Sequence, residues 1–226
     1  MINALLPVTL LGAILGLDTV SFPQAMLSRP LVAATLGGAL VGSPTEGLLI
    51  GATLELIALE TLPFGAARYP EWGSASVVGG ALFAASTQPP AGAMTLALLA
   101  AIATAWVGGW TMVQLRQLNG KWATRSRSGL DAGARGTVIG LQLKGLTADL
   151  VRGALLTAAA FATFAPLREA SLALWTVDPR VSRAVAVGTA TSVAAAAAWK
   201  LFHGNLAARW CFAAGLAVGF TMMVLG

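Results

Sequence analysis

The chain has 226 residues, 57% of them hydrophobic and only 10% charged, with a mean hydropathy of +0.77. Water-soluble domains carry about a quarter charged residues, so the composition excludes one and predicts an all-α, polytopic integral membrane protein. The continuous apolar runs exclude a β-barrel, and the formal charge of +5 is too localised to indicate a nucleic-acid partner.

The first apolar run, residues 2–17, has no basic n-region and no small-x-small cleavage site after it. It is expected to be a retained segment and not a signal peptide. "DTVSFPQAMLSRP" follows, with the first basic residue of the chain, Arg29. Gln24 and Ser28 stand at i and i+4, so they align if this piece is helical. Together with Asp18 and Arg29 they would suit the hydroxyls of a sugar; a polar turn at the membrane surface explains them equally well.

Two apolar runs come next, "LVAATLGGALVGS" (31–43) and "GLLIGATLELIAL" (47–59). Thirteen residues at about 1.5 Å each cover roughly 20 Å, short of a hydrocarbon core of about 30 Å. Between them Ser43-Pro44-Thr45-Glu46 has the form of a capping box, with Ser43 as N-cap, Pro44 at the first helical position and Glu46 reaching back. Short broken or re-entrant helices in the N-terminal half are therefore expected. Such pairs build substrate sites in transporters, because they expose backbone groups at membrane depth.

"TLPFGAARYPEWGSAS" then reads as a loop, in which Gly65, Ala66 and Ala67 would let backbone approach a ligand. Tyr69 or Trp72 could stack on a pyranose. Residues 74–87 form another short run, ended by Gln88-Pro89-Pro90, and 91–115 make a full-length span. Seven of the fourteen Lys and Arg lie between Arg116 and Arg152, a positive-inside signature of a cytoplasmic loop. Within it "GTVIGLQLKGLTADL" is expected to lie as a helix in the interface. Apolar segments at 153–175, 181–199 and 206–226 close the chain. Pro166, Arg168 and Glu169 interrupt the first, while Asp178-Pro179 caps and starts the second. Three regions follow: an N-terminal membrane region (1–115), a basic cytoplasmic or interfacial loop (116–152) and C-terminal membrane helices (153–226).

Glu46 is explained by the capping box. Glu55 is not, since it lies among Leu54, Leu56 and Ile57, where a carboxylate costs at least a few kcal/mol unless it meets a cavity or a partner. It is read as a ligand or proton site; the alternative is a pair with an arginine that locks packing. Glu60 is about 140° further round a helix and is read as a solvated or subunit-facing charge. His203, alone of its kind, is read as facing headgroups or solvent. Cys211 is single, so no disulfide framework exists. No metal cluster, phosphate cradle or nucleophile–base pair is legible, so neither a cofactor nor catalysis confined to this chain is expected.

Residues 28–71 resemble the IIC membrane subunit of the mannose–fructose–sorbose family of the bacterial phosphotransferase system. The likeness rests on Arg29-Pro30 before the first short run, the glycines around the break, Gly-x-x-Leu-Glu in the second run, Gly65-Ala66-Ala67, and the acidic residue after Pro70. Ser43 stands where members often carry an aspartate, which also caps, and Glu60 where they often carry a glycine. The resemblance implies a subunit paired with IID, usually in a trimeric assembly of heterodimers in the bacterial inner membrane. It implies binding of a hexose-type sugar and an elevator-like motion across the lipid bilayer. Cytoplasmic IIB then phosphorylates the sugar, supplied by IIA and HPr from phosphoenolpyruvate. By the resemblance Glu55 is a sugar-hydroxyl ligand, with Gln24, Arg29 and the Gly65, Ala66 and Ala67 backbone beside it. A proton-coupled secondary transporter and a non-transporting membrane scaffold are the competing readings.

Overall fold

The computed structural model describes residues 2–59, 61, 68–85, 91–174, 176–202 and 204–225. Among these the regular structure is entirely helical. A 3-10 turn at Ile2–Ala4 leads into α1 (Leu5–Asp18), α2 (Pro30–Leu40), α3 (Pro44–Ala58) and α4 (Trp72–Phe83). Then come α5 (Ala91–Arg125), the short α6 (Arg127–Asp131), α7 (Arg135–Ala173), α8 (Pro179–Phe202) and α9 (Leu206–Leu225).

The first four helices have 11 to 15 residues, or roughly 17–23 Å at about 1.5 Å per residue. They fall short of the roughly 30 Å hydrocarbon core, as the run lengths lead one to expect. Three longer helices, Gly92–Arg125, Arg135–Ala173 and Pro179–Lys200, are long and apolar enough to cross a membrane.

α4 is the hub. All twelve of its residues are buried, against α1, α2, α3, α5 and α7. Its sequence, "WGSASVVGGALF", carries no charge and has small residues between Trp72 and Leu82, which suits a helix enclosed on every side. Glycines set the spacing. A Cβ on Gly80 would stand 2.2 Å from the Ala34 carbonyl oxygen, and one on Gly37 2.5 Å from that of Val77. From α3, a Cβ on Gly47 would stand 2.5 Å from the same Ala34 oxygen, and one on Gly51 2.9 Å from that of Pro30. The α2–α3 hairpin turns through Gly42, whose φ of +91° is a conformation that side chains disfavour. Helices in lipid associate by such close backbone approach, because no hydrophobic force separates lipid from leucine.

α1 runs antiparallel to α7: Gly12 abuts Thr157, and Gly153 abuts Ala13. α5 runs antiparallel to α7 too, with Gly108 against Leu156 and Gly145 against Asn119.

Three expectations are corrected here. Residues 116–152 do not form a loop with a separate interfacial helix. Residues 116–125 continue α5 and 135–152 begin α7, leaving α6 and two turns at the tip. At 35 and 39 residues, α5 and α7 reach roughly 52 and 58 Å, about 20 Å or more beyond the hydrocarbon. The basic stretch is a helical hairpin because α5 and α7 run on past the ends of their apolar parts, α5 even through Asn119-Gly120.

Pro166, secondly, lies inside an uninterrupted α7; lost backbone pairing at a proline is tolerated where neighbouring helices hold the segment. Thirdly, the capping box does not form. Ser43 is the N-cap residue of α3 and Pro44 is at its first position, but the Ser43 side chain makes no cap hydrogen bond. Glu46 instead accepts from Arg183 Nη1 of α8 at 2.9 Å, so a cation across the helix interface outcompetes the local cap. The start of α8 is as expected: the Asp178 carboxylate accepts from the Arg180 amide at 2.8 Å.

The seam predicts a contrast between two glycines. Gly80→Ala should force α2 and α4 apart and destabilise by about 1–3 kcal/mol, the usual cost of overpacking. Gly140→Ala, on an exposed turn of α7 with open space at its Cβ, should stabilise by roughly 0.5–1 kcal/mol through helix propensity. Thermal unfolding in detergent, followed by circular dichroism, measures both.

Candidate functional site

A cavity of about 290 Å³ opens where the C-terminal end of α1, the start of α2 and the end of α3 converge. This is at the lower edge of the roughly 300–1,000 Å³ usual for small-molecule sites. Asp18, Gln24, Ser28, Arg29, Glu55 and Trp72 are among the residues on its wall.

The wall is built from Asp18. Asp18 is 2% exposed, and its carboxylate accepts from the backbone amides of Ala25 at 2.7 Å and Ser28 at 2.8 Å. These bonds fold residues 21–28 into an irregular strap, so Gln24 and Ser28 do not align on a helix. Gln24 and Met26 both adopt left-handed backbone conformations, φ 59° and 62°, each costing about 1–2 kcal/mol for a residue with a Cβ. The Asp18 carboxylate offsets that strain. The Gln24 side-chain amide donates to the Val20 carbonyl at 2.6 Å, which holds it along the rim.

Glu55 is satisfied from across the cavity mouth. One oxygen pairs with Arg29 Nη2, and the other accepts from the Leu31 amide at 3.2 Å. That amide is one of the unpaired donors at the start of α2, where the helix dipole also favours an anion. Of the two sequence-based alternatives the structure shows the arginine pair, and that pair stands in a cavity wall. About four lone-pair positions exist on a carboxylate; Arg29 and Leu31 occupy two.

Trp72 lines the cavity and donates from Nε1 to Thr61 Oγ1 at 2.9 Å. Tyr69 does not line it. Its hydroxyl accepts from Arg116 Nη2 at 2.6 Å, and the guanidinium lies over its ring at 5.1 Å. Glu60, Gly65, Ala66, Ala67 and His203 lie outside the described residues.

Comparison with known proteins places these features. The family model described as "PTS system sorbose-specific iic component" matches residues 1–167. The chain is 33% identical over 92 residues to the sorbose-specific EIIC component of Lacticaseibacillus casei, covering 41% of this chain and 33% of that one. It is 34% identical over 91 residues to the mannose-specific EIIC component of Escherichia coli K12, covering 40% of this chain and 34% of that one. The matches therefore span about a third of the length of these relatives. In fold, the chain superposes over its whole length on a solved membrane protein, with a TM-score of 0.69 at 20% identity and 95% of that chain covered. It does so also on a chain of the mannose transporter ManYZ in complex with microcin E492, with a TM-score of 0.61 at 20% identity and 94% covered. At that identity the likeness is one of fold alone.

Sequence reasoning grouped Asp18 with Gln24, Ser28 and Arg29 without seeing that Asp18 organises the other three. A carboxylate at the end of an apolar helix, ahead of two prolines, was the available signal. It also passed over two polar links behind the cavity. Glu71, fully buried, caps α4 by accepting from the Ser74 amide at 3.0 Å, and accepts from Thr19 Oγ1 at 3.3 Å. Asp149, also fully buried, pairs with Arg152 at 2.9 Å and accepts from the Ser21 hydroxyl. The i,i+3 spacing of Asp149 and Arg152 was legible; their joint burial was not.

If Asp18 holds the strap, Asp18→Ala should release it. Hydrogen bonds to a charged acceptor contribute about 1.5–3 kcal/mol, so amide exchange at Ala25 and Ser28 should accelerate roughly 10- to 100-fold. Exchange along the α5–α7 contact should stay as it was. Hydrogen–deuterium exchange with mass spectrometry reads both regions at once.

Proposed function

Because the chain belongs to the family of sorbose-specific IIC components of the phosphotransferase system, we propose that it is a sugar-translocating IIC subunit. The observation that carries this reading is the cavity itself: a carboxylate, a guanidinium, an amide and an indole converge on one small volume between half-length helices. That donor set suits a neutral hexose-type sugar, which offers many hydroxyls and little apolar surface. Glu55 has lone pairs left for two hydroxyls, and charge-assisted hydrogen bonds are the stronger kind. Arg29 and Gln24 donate to ring or hydroxyl oxygens, and Trp72 presents an indole to the sugar's apolar face. By the family resemblance Gly65, Ala66 and Ala67 are proposed as further sugar contacts.

The subunit works with others. IID is the proposed membrane partner, in a trimeric assembly of heterodimers in the bacterial inner membrane, and the sugar crosses the bilayer by an elevator-like motion. Residues 1–115 are the proposed substrate region, 116–152 the cytoplasmic part, and 153–226 the remaining membrane helices. The basic α5–α7 tip then faces the cytoplasm by the positive-inside rule. There it receives IIB, which phosphorylates the sugar with a phosphoryl group supplied through IIA. The chain alone transfers no phosphoryl group.

The decisive experiment is phosphoenolpyruvate-dependent phosphorylation of D-mannose, D-fructose and L-sorbose in vesicles holding the partner subunits, with and without this chain. Phosphorylation that depends on the chain is expected; phosphorylation indifferent to it, or uptake abolished by an uncoupler alone, ends the reading. In the same vesicles Glu55→Gln should weaken sugar affinity roughly 10- to 100-fold, the equivalent of about 1.5–3 kcal/mol for a charged hydrogen bond.

Arg125→Glu with Arg127→Glu tests the tip separately. Arg127 pairs with Asp131 at 3.5 Å with both side chains mostly exposed, so little stability is at stake. Phosphorylation should fall while sugar binding is unchanged, as measured by titrating IIB against the vesicles.

A further inference from the structure

A second cavity, of about 410 Å³, lies at the root of the α5–α7 hairpin. Its wall includes Asn119 and Trp122 from α5, Gln142 and Gly145 from α7, and Ser21 from the strap. Ser21 is two residues from Thr19, which lines the first cavity. Two residues of chain span at most about 7 Å, so the strap is a thin partition with a cavity on each side. The order follows the α1–α7 pair. Passing along it toward the basic tip, Thr19 faces the first cavity and Ser21, tied to Asp149 of α7, faces the second.

The chemistry of this second space is that of a neutral polyol site. Two carboxamides can each donate and accept. The Ser21 hydroxyl gives its proton to Asp149 and keeps lone pairs for an incoming hydroxyl. The Trp122 indole combines an apolar face with a polar edge, and the Lys144 ammonium lies over its ring at 5.3 Å, steadying the indole.

We propose that this cavity is a second sugar site, on the cytoplasmic side of the strap, which receives the sugar once the elevator-like motion has opened the Glu55 cavity inward. The proposal rests on the sugar-translocating reading above. It gives the strap a purpose: with Thr19 and Val20 before it, the strap separates an entry site that carries charge from a release site that has none in its wall. Without a carboxylate the second site holds sugar more weakly than the first, which favours onward transfer.

The test is equilibrium binding of tritiated D-mannose, D-fructose and L-sorbose, each in turn, to the purified complex of this chain with its membrane partner. Gly145→Leu is the principal variant. A Cβ there meets Asn119 at an ordinary 3.7 Å, so the larger side chain fills the cavity without striking backbone. Asn119→Ala, a simple truncation, is the second.

The unaltered complex should bind label in two classes of differing affinity, and both variants should remove the weaker class with the tighter one unmoved. Glu55→Gln should weaken the tighter class and spare the other. A single class that is lost in Glu55→Gln and indifferent to both cavity variants would overturn the second site and leave the first standing. Absence of all binding would overturn both, which distinguishes failure of the underlying reading from failure of this one.

Discussion

The arrangement depends on how closely α2 is gripped between α3 and α4. Ala34 has its carbonyl oxygen within 2.5 Å of where a Cβ on Gly47 or Gly80 would stand, so α2 touches both neighbours through backbone. In lipid this is the available source of helix affinity, since dispersion and geometry have to replace the hydrophobic effect. The consequence lies one turn away. With Gly51 of α3 against Pro30 and Leu31, Glu55, one turn further along α3, arrives opposite the free amides at the start of α2. The seam therefore aims the carboxylate at its partners.

That geometry makes a membrane-embedded carboxylate tolerable. A lone anion among leucines would be expensive. Here the Arg29 guanidinium, the Leu31 amide and the α2 dipole share the charge, and the cavity lets water or hydroxyls reach it. The same logic recurs at Asp18, which takes two strap amides, and at Asp149, which takes Arg152 and the Ser21 hydroxyl. Each of these acids is answered by a donor from another segment, Asp149 by Ser21 as well as by Arg152 of its own helix. Polar groups here therefore do the joining that apolar side chains do in water-soluble proteins, and they fix the strap while leaving cavities beside it.

Much of this was legible from residue order. The half-length runs are short helices, the positions of Pro30, Pro44 and Pro179 mark three helix starts, and Gln24, Arg29 and Glu55 do come together. The failures share one cause. Ser43 and Glu46 were paired because they are neighbours in sequence, yet Glu46 is claimed by Arg183, 137 positions away. Gln24 and Ser28 align only if residues 24–28 are helical, and Asp18 instead bends the chain between them. The change of charge separates residues 116–152 from their spans in the sequence, yet α5 and α7 keep their backbone bonding through that change.

The sequence by itself determined the membrane class, the broken N-terminal helices and the family, since apolar length, proline position and short-range motifs are local properties of the chain. Only the tertiary structure decided which donor answers each carboxylate, that the basic stretch is an extended hairpin, and that the strap parts two cavities. Those outcomes turn on contacts between residues far apart in the chain. In a low-dielectric setting a distant guanidinium or backbone amide outweighs the nearest neighbour in sequence.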